Sequence, residues 1–276
     1  MSGIGRRAVI AAPFVLLLAG CTPEAARPVR TADASGGGPT TVRLAPGGSA
    51  RATPPASASP APPADATPTP TSTPAFDKTA NSTTDPHSLW VVVNKKHALT
   101  PVDYAPTDLV YPPAPNINGQ PLRKPAADAL AAMFAAGKSE QGLSFSIQSG
   151  YRSYSVQVAV YNQSVASNGQ AVADNLTARP GTSEHQTGLA VDISAVPAQY
   201  SLQEAFSTTP HAKWLAANAW RFGFLLRYPS DKVAVTGYSF EPWHFRYLGV
   251  PLATELHNTH VETLEEFFGI PGGVNY

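Results

Sequence analysis

A break in composition near Asp85 decides which part of this chain can fold. Residues 21–85 are mostly Pro, Ala, Ser, Thr and Gly, in runs such as Ala52-Thr53-Pro54-Pro55-Ala56 and Ala66-Thr67-Pro68-Thr69-Pro70. They carry no hydrophobic period and few aromatics, so they bury too little apolar surface to offset the entropy of ordering. The expectation is a disordered tether, reaching on the order of 200 Å if its prolines keep it extended and about 45 Å as a flexible coil. The remainder, 86–276, is about 190 residues, enough for one domain with a substantial core. The chain has a single cysteine, Cys21, so no intrachain disulfide can staple that core. Packing must hold it.

The first twenty residues read as a signal for export. Arg6 and Arg7 form a short basic region, Ala8 to Leu18 is apolar, and Leu18-Ala19-Gly20-Cys21 follows. The apolar run is too short for a membrane span and fits a cleaved signal peptide. The Leu-Ala-Gly-Cys ending resembles a bacterial lipobox, in which the cysteine is lipidated and becomes the first mature residue. The expectation is a domain anchored to the membrane through Cys21, facing the cell wall. Nineteen basic residues balance nineteen acidic ones, so charge gives no reason to expect a nucleic-acid partner. A monomer is expected.

Within the domain, Leu89 to Val93 reads as a strand from its β-branched and aromatic run. Residues 125–136 read as a helix stopped by Gly137, and Leu143 to Gln148 alternates as a half-buried strand. Ser153 is placed to cap a helix from Tyr154 to about Ser167, and a further helix is expected from His211 to Phe222. Strands are expected at 189–193, 224–228 and 243–247. Thr259-His260-Val261-Glu262 fits a capping box for a last short helix through Phe268. Helices and strands mix without a βαβ rhythm, which predicts an α+β domain on a mainly antiparallel sheet flanked by helices.

Two distant segments carry the chemistry. Ser183-Glu184-His185-Gln186-Thr187-Gly188-Leu189-Ala190-Val191-Asp192 offers a histidine and an aspartate, and Glu241-Pro242-Trp243-His244 offers a second histidine and a glutamate. Two histidines and an aspartate can hold a tetrahedral zinc by three ligands and leave a fourth position open. The remaining carboxylate, Glu241, is then free to act as general base. Alternation along 189–193 sets Asp192 opposite the apolar side chains, and Pro242 prevents a helix, so that a turn can bring Glu241 and His244 to one side.

The chain resembles the zinc D-Ala-D-Ala carboxypeptidases of the VanY type throughout the domain. The resemblance runs through Val93-Asn94-Lys95, Ser149-Gly150-Tyr151-Arg152-Ser153, the segment from Gly181 to Ile193, Gly223 to Pro229, Thr236-Gly237-Tyr238, and Glu241 to Tyr247. It implies His185, Asp192 and His244 as zinc ligands and Glu241 as the base. Arg152 would stabilise the oxyanion or bind the substrate carboxylate, and Gln157 and Ser183 match positions lining the substrate site. It also implies the α+β fold shared with the zinc-bearing domain of hedgehog signalling proteins. Glu184, beside a ligand, is either its support or merely exposed.

These readings converge on a carboxypeptidase that removes a terminal D-amino acid from peptidoglycan stem peptides, with D-Ala-D-Ala as the first choice. The alternatives are an L,D-carboxypeptidase acting on tetrapeptide stems and a zinc-bearing wall-binding module without turnover. A serine mechanism has no support, because neither Gly-x-Ser-x-Gly nor Ser-x-x-Lys accompanies Ser183.

Overall fold

The computed structural model describes residues 75–276. The signal segment 1–20, Cys21 and the tether up to Pro74 lie outside the described residues. In chain order the elements are β1 (Leu109–Val110), β2 (Leu122–Arg123), α1 (Lys124–Gln141), β3 (Phe145–Ser149), α2 (Tyr154–Asn168), α3 (Gln170–Leu176) and β4 (Ala190–Ala195). They continue with α4 (Pro210–Asn218), β5 (Phe224–Leu226), α5 (Val233–Thr236), β6 (His244–Tyr247), α6 (Val250–Thr259) and α7 (Leu264–Phe268). Strands β1 and β2 form a small hairpin, while a sheet of order β3-β4-β6-β5 is antiparallel throughout. This is an α+β architecture.

Register explains why the sheet has a chemical face and a structural face. Asp192 lies directly opposite His244, Val191 opposite Phe245 and Ala190 opposite Arg246. Because side chains alternate along a strand, Val191, Ile193 and Phe245 enter the main core, while Asp192, His244 and Arg246 share the other face. α1 lays Ala126, Leu130, Met133 and Phe134 against the core face, with Leu130 and Met133 fully buried. Truncating either to Ala would cost about 2–5 kcal/mol. A second cluster packs Trp90 and Val92 on Leu252, Leu256 and Phe267, clamping both ends of the described chain against one another.

Several expectations are corrected in detail. Leu89 and Trp90 lie in a turn, and Trp90 to Val93 is buried, but the segment joins no sheet. The carbonyls of Leu89 and Val91 instead accept from the guanidinium of Arg246, at 3.0 and 2.8 Å. Gly137 does not stop α1, which runs on to a left-handed Gly142. It is a packing glycine, because a Cβ there would meet the ring of Phe145. The capping threonine of the last helix is Thr263, whose Oγ1 accepts from the Glu266 amide at 3.2 Å; Thr259 ends α6. The domain also begins before residue 86, since Phe76 stacks on Trp90 with ring centroids 5.6 Å apart and Lys78 donates to the Phe267 carbonyl.

Candidate active site

Every residue from Gly181 to Ala195 is buried, although that stretch holds many polar side chains. Several are placed by specific bonds. Residues Glu184–Thr187 make one tight turn that ends at Gly188, whose φ of 68° favours glycine. In that turn Thr187 Oγ1 donates to the Glu184 carbonyl, and Gln186 Nε2 donates to the carbonyls of Val102 and Tyr104. His185 is thereby turned toward β4. Its Nδ1–H donates to the Gly150 carbonyl at 2.7 Å, leaving Nε2 to face Asp192 Oδ2 at 3.4 Å.

The second segment is a turn with Pro242 inside it, closed by the His244 amide on the Glu241 carbonyl at 3.1 Å. It delivers His244 to the start of β6, edge-on to His185 with ring centroids 5.0 Å apart. His244 Nδ1 lies 3.2 Å from Asp192 Oδ1 and 3.5 Å from Glu241 Oε2. Ligand atoms from His185, Asp192 and His244 all fall within 4.8 Å of one another. Asp192 Oδ1 is buried and has no hydrogen-bond partner, which is costly unless something else satisfies it. A divalent metal would satisfy it. Two imidazoles and a carboxylate on three converging vectors fit zinc, with the cleft side left open.

This trio lines a cleft of about 450 Å³ together with Glu241, Arg152 and Ser183. Ser149, Tyr228, Tyr238 and Trp243 complete the nearby wall. Arg152 precedes α2, and its buried Nε has no hydrogen-bond partner, so a cation faces the cleft unspent. Gln157 is corrected: it is fully buried and does not line the cleft. Its amide donates to Ala178 O at 2.7 Å and Thr177 Oγ1 at 3.3 Å, supporting two residues that do.

Burial and neighbouring charge set the protonation of the groups. Burial pushes the Glu241 carboxyl up to about 7, Asp192 adds to the rise, and His244 and Arg152 oppose it. That is the range a general base needs near neutral pH. Burial alone would lower His244, but the nearby carboxylates of Asp192 and Glu184 raise it to about 9 in the absence of metal. A metal must displace that proton, so binding releases one. Burial and the neighbouring Arg152 hold His185 below its ordinary value, which favours the neutral ligand form.

Behind His244 sits a charge cluster that residue patterns did not reveal. Glu184 Oε1 accepts from Arg227 Nε at 2.8 Å and from Arg246 Nη1 at 2.9 Å, while Oε2 faces His244 Nε2 at 3.3 Å. Arg227 also makes a two-pronged pair with Glu265 at 2.9 and 2.7 Å, and Asn94 donates to the same carboxylate. Burial would raise the Glu184 carboxyl, yet Arg227 and Arg246 hold it well below the usual range. Glu184 is not exposed. The signal available in the sequence was the presence of Arg227 and Arg246 in otherwise apolar strands, where a solvated face is the ordinary reading.

A family model described as VanY, D-alanyl-D-alanine carboxypeptidase, matches residues 119–250, a span that holds Arg152, His185, Asp192, Glu241 and His244. YodJ of Bacillus subtilis (strain 168), provisionally named a carboxypeptidase, is 43% identical over 189 residues, covering 67% of this chain and 68% of that protein. Among solved structures, that of the LdcB LD-carboxypeptidase matches with a TM-score of 0.63 at 42% identity, covering 67% of this chain and 88% of the other. A vancomycin-resistance D,D-pentapeptidase VanY, solved as a variant with Zn(II), matches with a TM-score of 0.54 at 34% identity. That match covers 66% of this chain and 98% of the other.

Proposed function

The chain belongs to the VanY family of carboxypeptidases, and on that premise we propose that its cleft is a mononuclear zinc site removing the C-terminal D-amino acid of peptidoglycan stem peptides. The observation that carries this is the open-sided His185, Asp192 and His244 trio with a half-buried Glu241, its carboxyl pushed up to about 7, beside it. His185, Asp192 and His244 would hold the metal, which when bound polarises the scissile carbonyl and eases deprotonation of the attacking water. Glu241 takes that proton and hands it to the departing amine. Arg152 holds the free carboxylate of the substrate or the developing oxyanion by charge-assisted hydrogen bonds, with Ser183 beside it. Tyr228 and Trp243 wall the reacting groups from bulk water.

D-Ala-D-Ala is the first choice of terminal pair, in keeping with the matched family's description. A specific observation favours a second reading, cleavage of the bond between an L-residue and a terminal D-Ala. The LD-carboxypeptidase LdcB is more similar in sequence and fold than the D,D-pentapeptidase. Offering pentapeptide and tetrapeptide stems side by side separates the two. Release of one alanine from the pentapeptide alone supports D,D-cleavage, and release from the tetrapeptide supports L,D-cleavage. At the other end of the chain, Cys21 anchors the enzyme by lipid outside the cytoplasmic membrane. Cys21→Ser then moves the protein from the membrane fraction to the soluble one, and a wild type wholly in the soluble fraction refutes the anchor.

A further inference from the structure

We propose that Glu184 is a positioning residue for the metal site, fixing the His244 ring so that Nε2–H points inward and Nδ1 faces the metal position. This rests on the reading of His244 as a ligand. The geometry divides the work of the carboxylate between its oxygens. Oε1 is taken by Arg227 and Arg246, whereas Oε2 makes its hydrogen bond to His244 alone. Arg246 is itself locked by three backbone carbonyls, those of Tyr247, Leu89 and Val91. Arg227 is locked by Glu265. Glu184 is therefore held from both sides, and it cannot swing away from the imidazole without breaking buried ion pairs.

A purely structural cluster would not need this arrangement. Buried ion pairs give little net stability over well-packed apolar residues, so retaining four charges behind a ligand calls for another return. The two imidazoles are also treated differently. His185 has a backbone carbonyl as its outer partner, fixed by the fold at 2.7 Å. His244 instead has a side-chain carboxylate as its outer partner, Glu184 Oε2 at 3.3 Å. A flipped ring would put Cδ2 in place of Nδ1 before Asp192 and Glu241 and would break the Nε2 bond to Glu184. A carboxylate acceptor also raises the basicity of the ligating nitrogen.

The test compares opposite ends of the cluster in the full-length protein. Zinc affinity is measured by competition with a chromophoric chelator for wild type, Glu184→Gln, Glu184→Asp and Glu265→Gln, with melting temperature recorded for each. Both Glu184 variants are expected to bind zinc about 10–100-fold more weakly. Glu265→Gln is expected to lose melting temperature yet keep zinc affinity within about threefold, since it does not touch a ligand. If Glu265→Gln weakens zinc as much as Glu184→Gln at equal loss of melting temperature, the effect is general destabilisation and the proposal fails. Should the Glu184 variants not fold, imidazole nitrogen NMR of the zinc-loaded wild type decides. His244 carrying its proton on Nε2, in slow exchange with solvent, supports the proposal, and a proton on Nδ1 overturns it. A wild type that takes up no zinc refutes the metal site and this inference together; a wild type that binds zinc beside unaffected Glu184 variants refutes the inference alone.

Discussion

The cleft and the cluster behind it meet at His244, yet they treat buried charge in opposite ways. In the cluster, Glu184, Glu265, Arg227 and Arg246 are each matched by ion pairs or carbonyls. In the cleft, Asp192 Oδ1 and Arg152 Nε are buried without a partner, and Glu241 is pushed toward neutrality. A satisfied charge is rigid and unavailable. An unsatisfied one stores a demand that a metal or substrate can meet. The difference teaches that burial of charge does not mark function by itself; the unmet bonds do.

The contrast is broken most severely by Glu241→Gln. The amide keeps the size of the side chain but cannot accept the proton of water, so turnover should fall about 10²–10⁴-fold while the bound metal, measured by elemental analysis, stays at wild-type level. Loss of metal in that variant would show Glu241 to be a ligand rather than a base.

On the satisfied side, Arg227→Met should strip a partner from two buried carboxylates, Glu184 and Glu265. Breaking such a pair costs about 3–5 kcal/mol, a fall in melting temperature on the order of 10 °C for a domain this size. Differential scanning calorimetry of the metal-loaded protein checks this. A change below about 2 °C would mean that the cluster is slack.

The same comparison explains what was legible in the sequence. His185, Asp192, Glu241 and His244 could be read because metal chemistry limits the residue types, and because alternation and one proline fix their directions. The sheet strands were legible to within a few residues for the same reason. Arg227 and Arg246 were not, since alternation in a strand assigns polar residues to water, and only the tertiary fold covers that face. Leu89 to Val93 has the composition of a strand, but the Arg246 guanidinium occupies the carbonyls that a partner strand would use. Thr259 and Thr263 both precede a glutamate by three residues, and the choice between them depends on how far α6 runs. Gln157 illustrates the limit in the other direction: its position near the site was readable, while the direction of its amide was not.

A smaller effect is expected from Arg152→Lys, which keeps the cation but loses the planar fork. Turnover on free-carboxylate peptides should drop about 10–100-fold, as for a lost hydrogen bond to a charged group. Amidating the C-terminus of the substrate should slow the wild type strongly and this variant much less. Equal slowing of both would remove Arg152 from carboxylate recognition.

The mildest probe is pH. Glu241 must be ionised to act, and its carboxyl is raised to about 7 in the metal-free cleft. A bound dication favours the ionised form, so kcat/KM should fall about tenfold per unit of pH on an acid limb at or below that value, with a plateau above it. Glu241→Gln should lack this limb in its residual activity. Persistence of the limb would assign it to another group.

The most direct measurement is mass spectrometry of purified tetrapeptide and pentapeptide stems incubated with zinc-loaded protein, with and without a chelator. The account predicts release of a single alanine from the C-terminus of at least one of them, abolished by the chelator and restored by added zinc. Folded, zinc-loaded protein that releases no amino acid from either stem, or that releases it equally well in chelator, would contradict it.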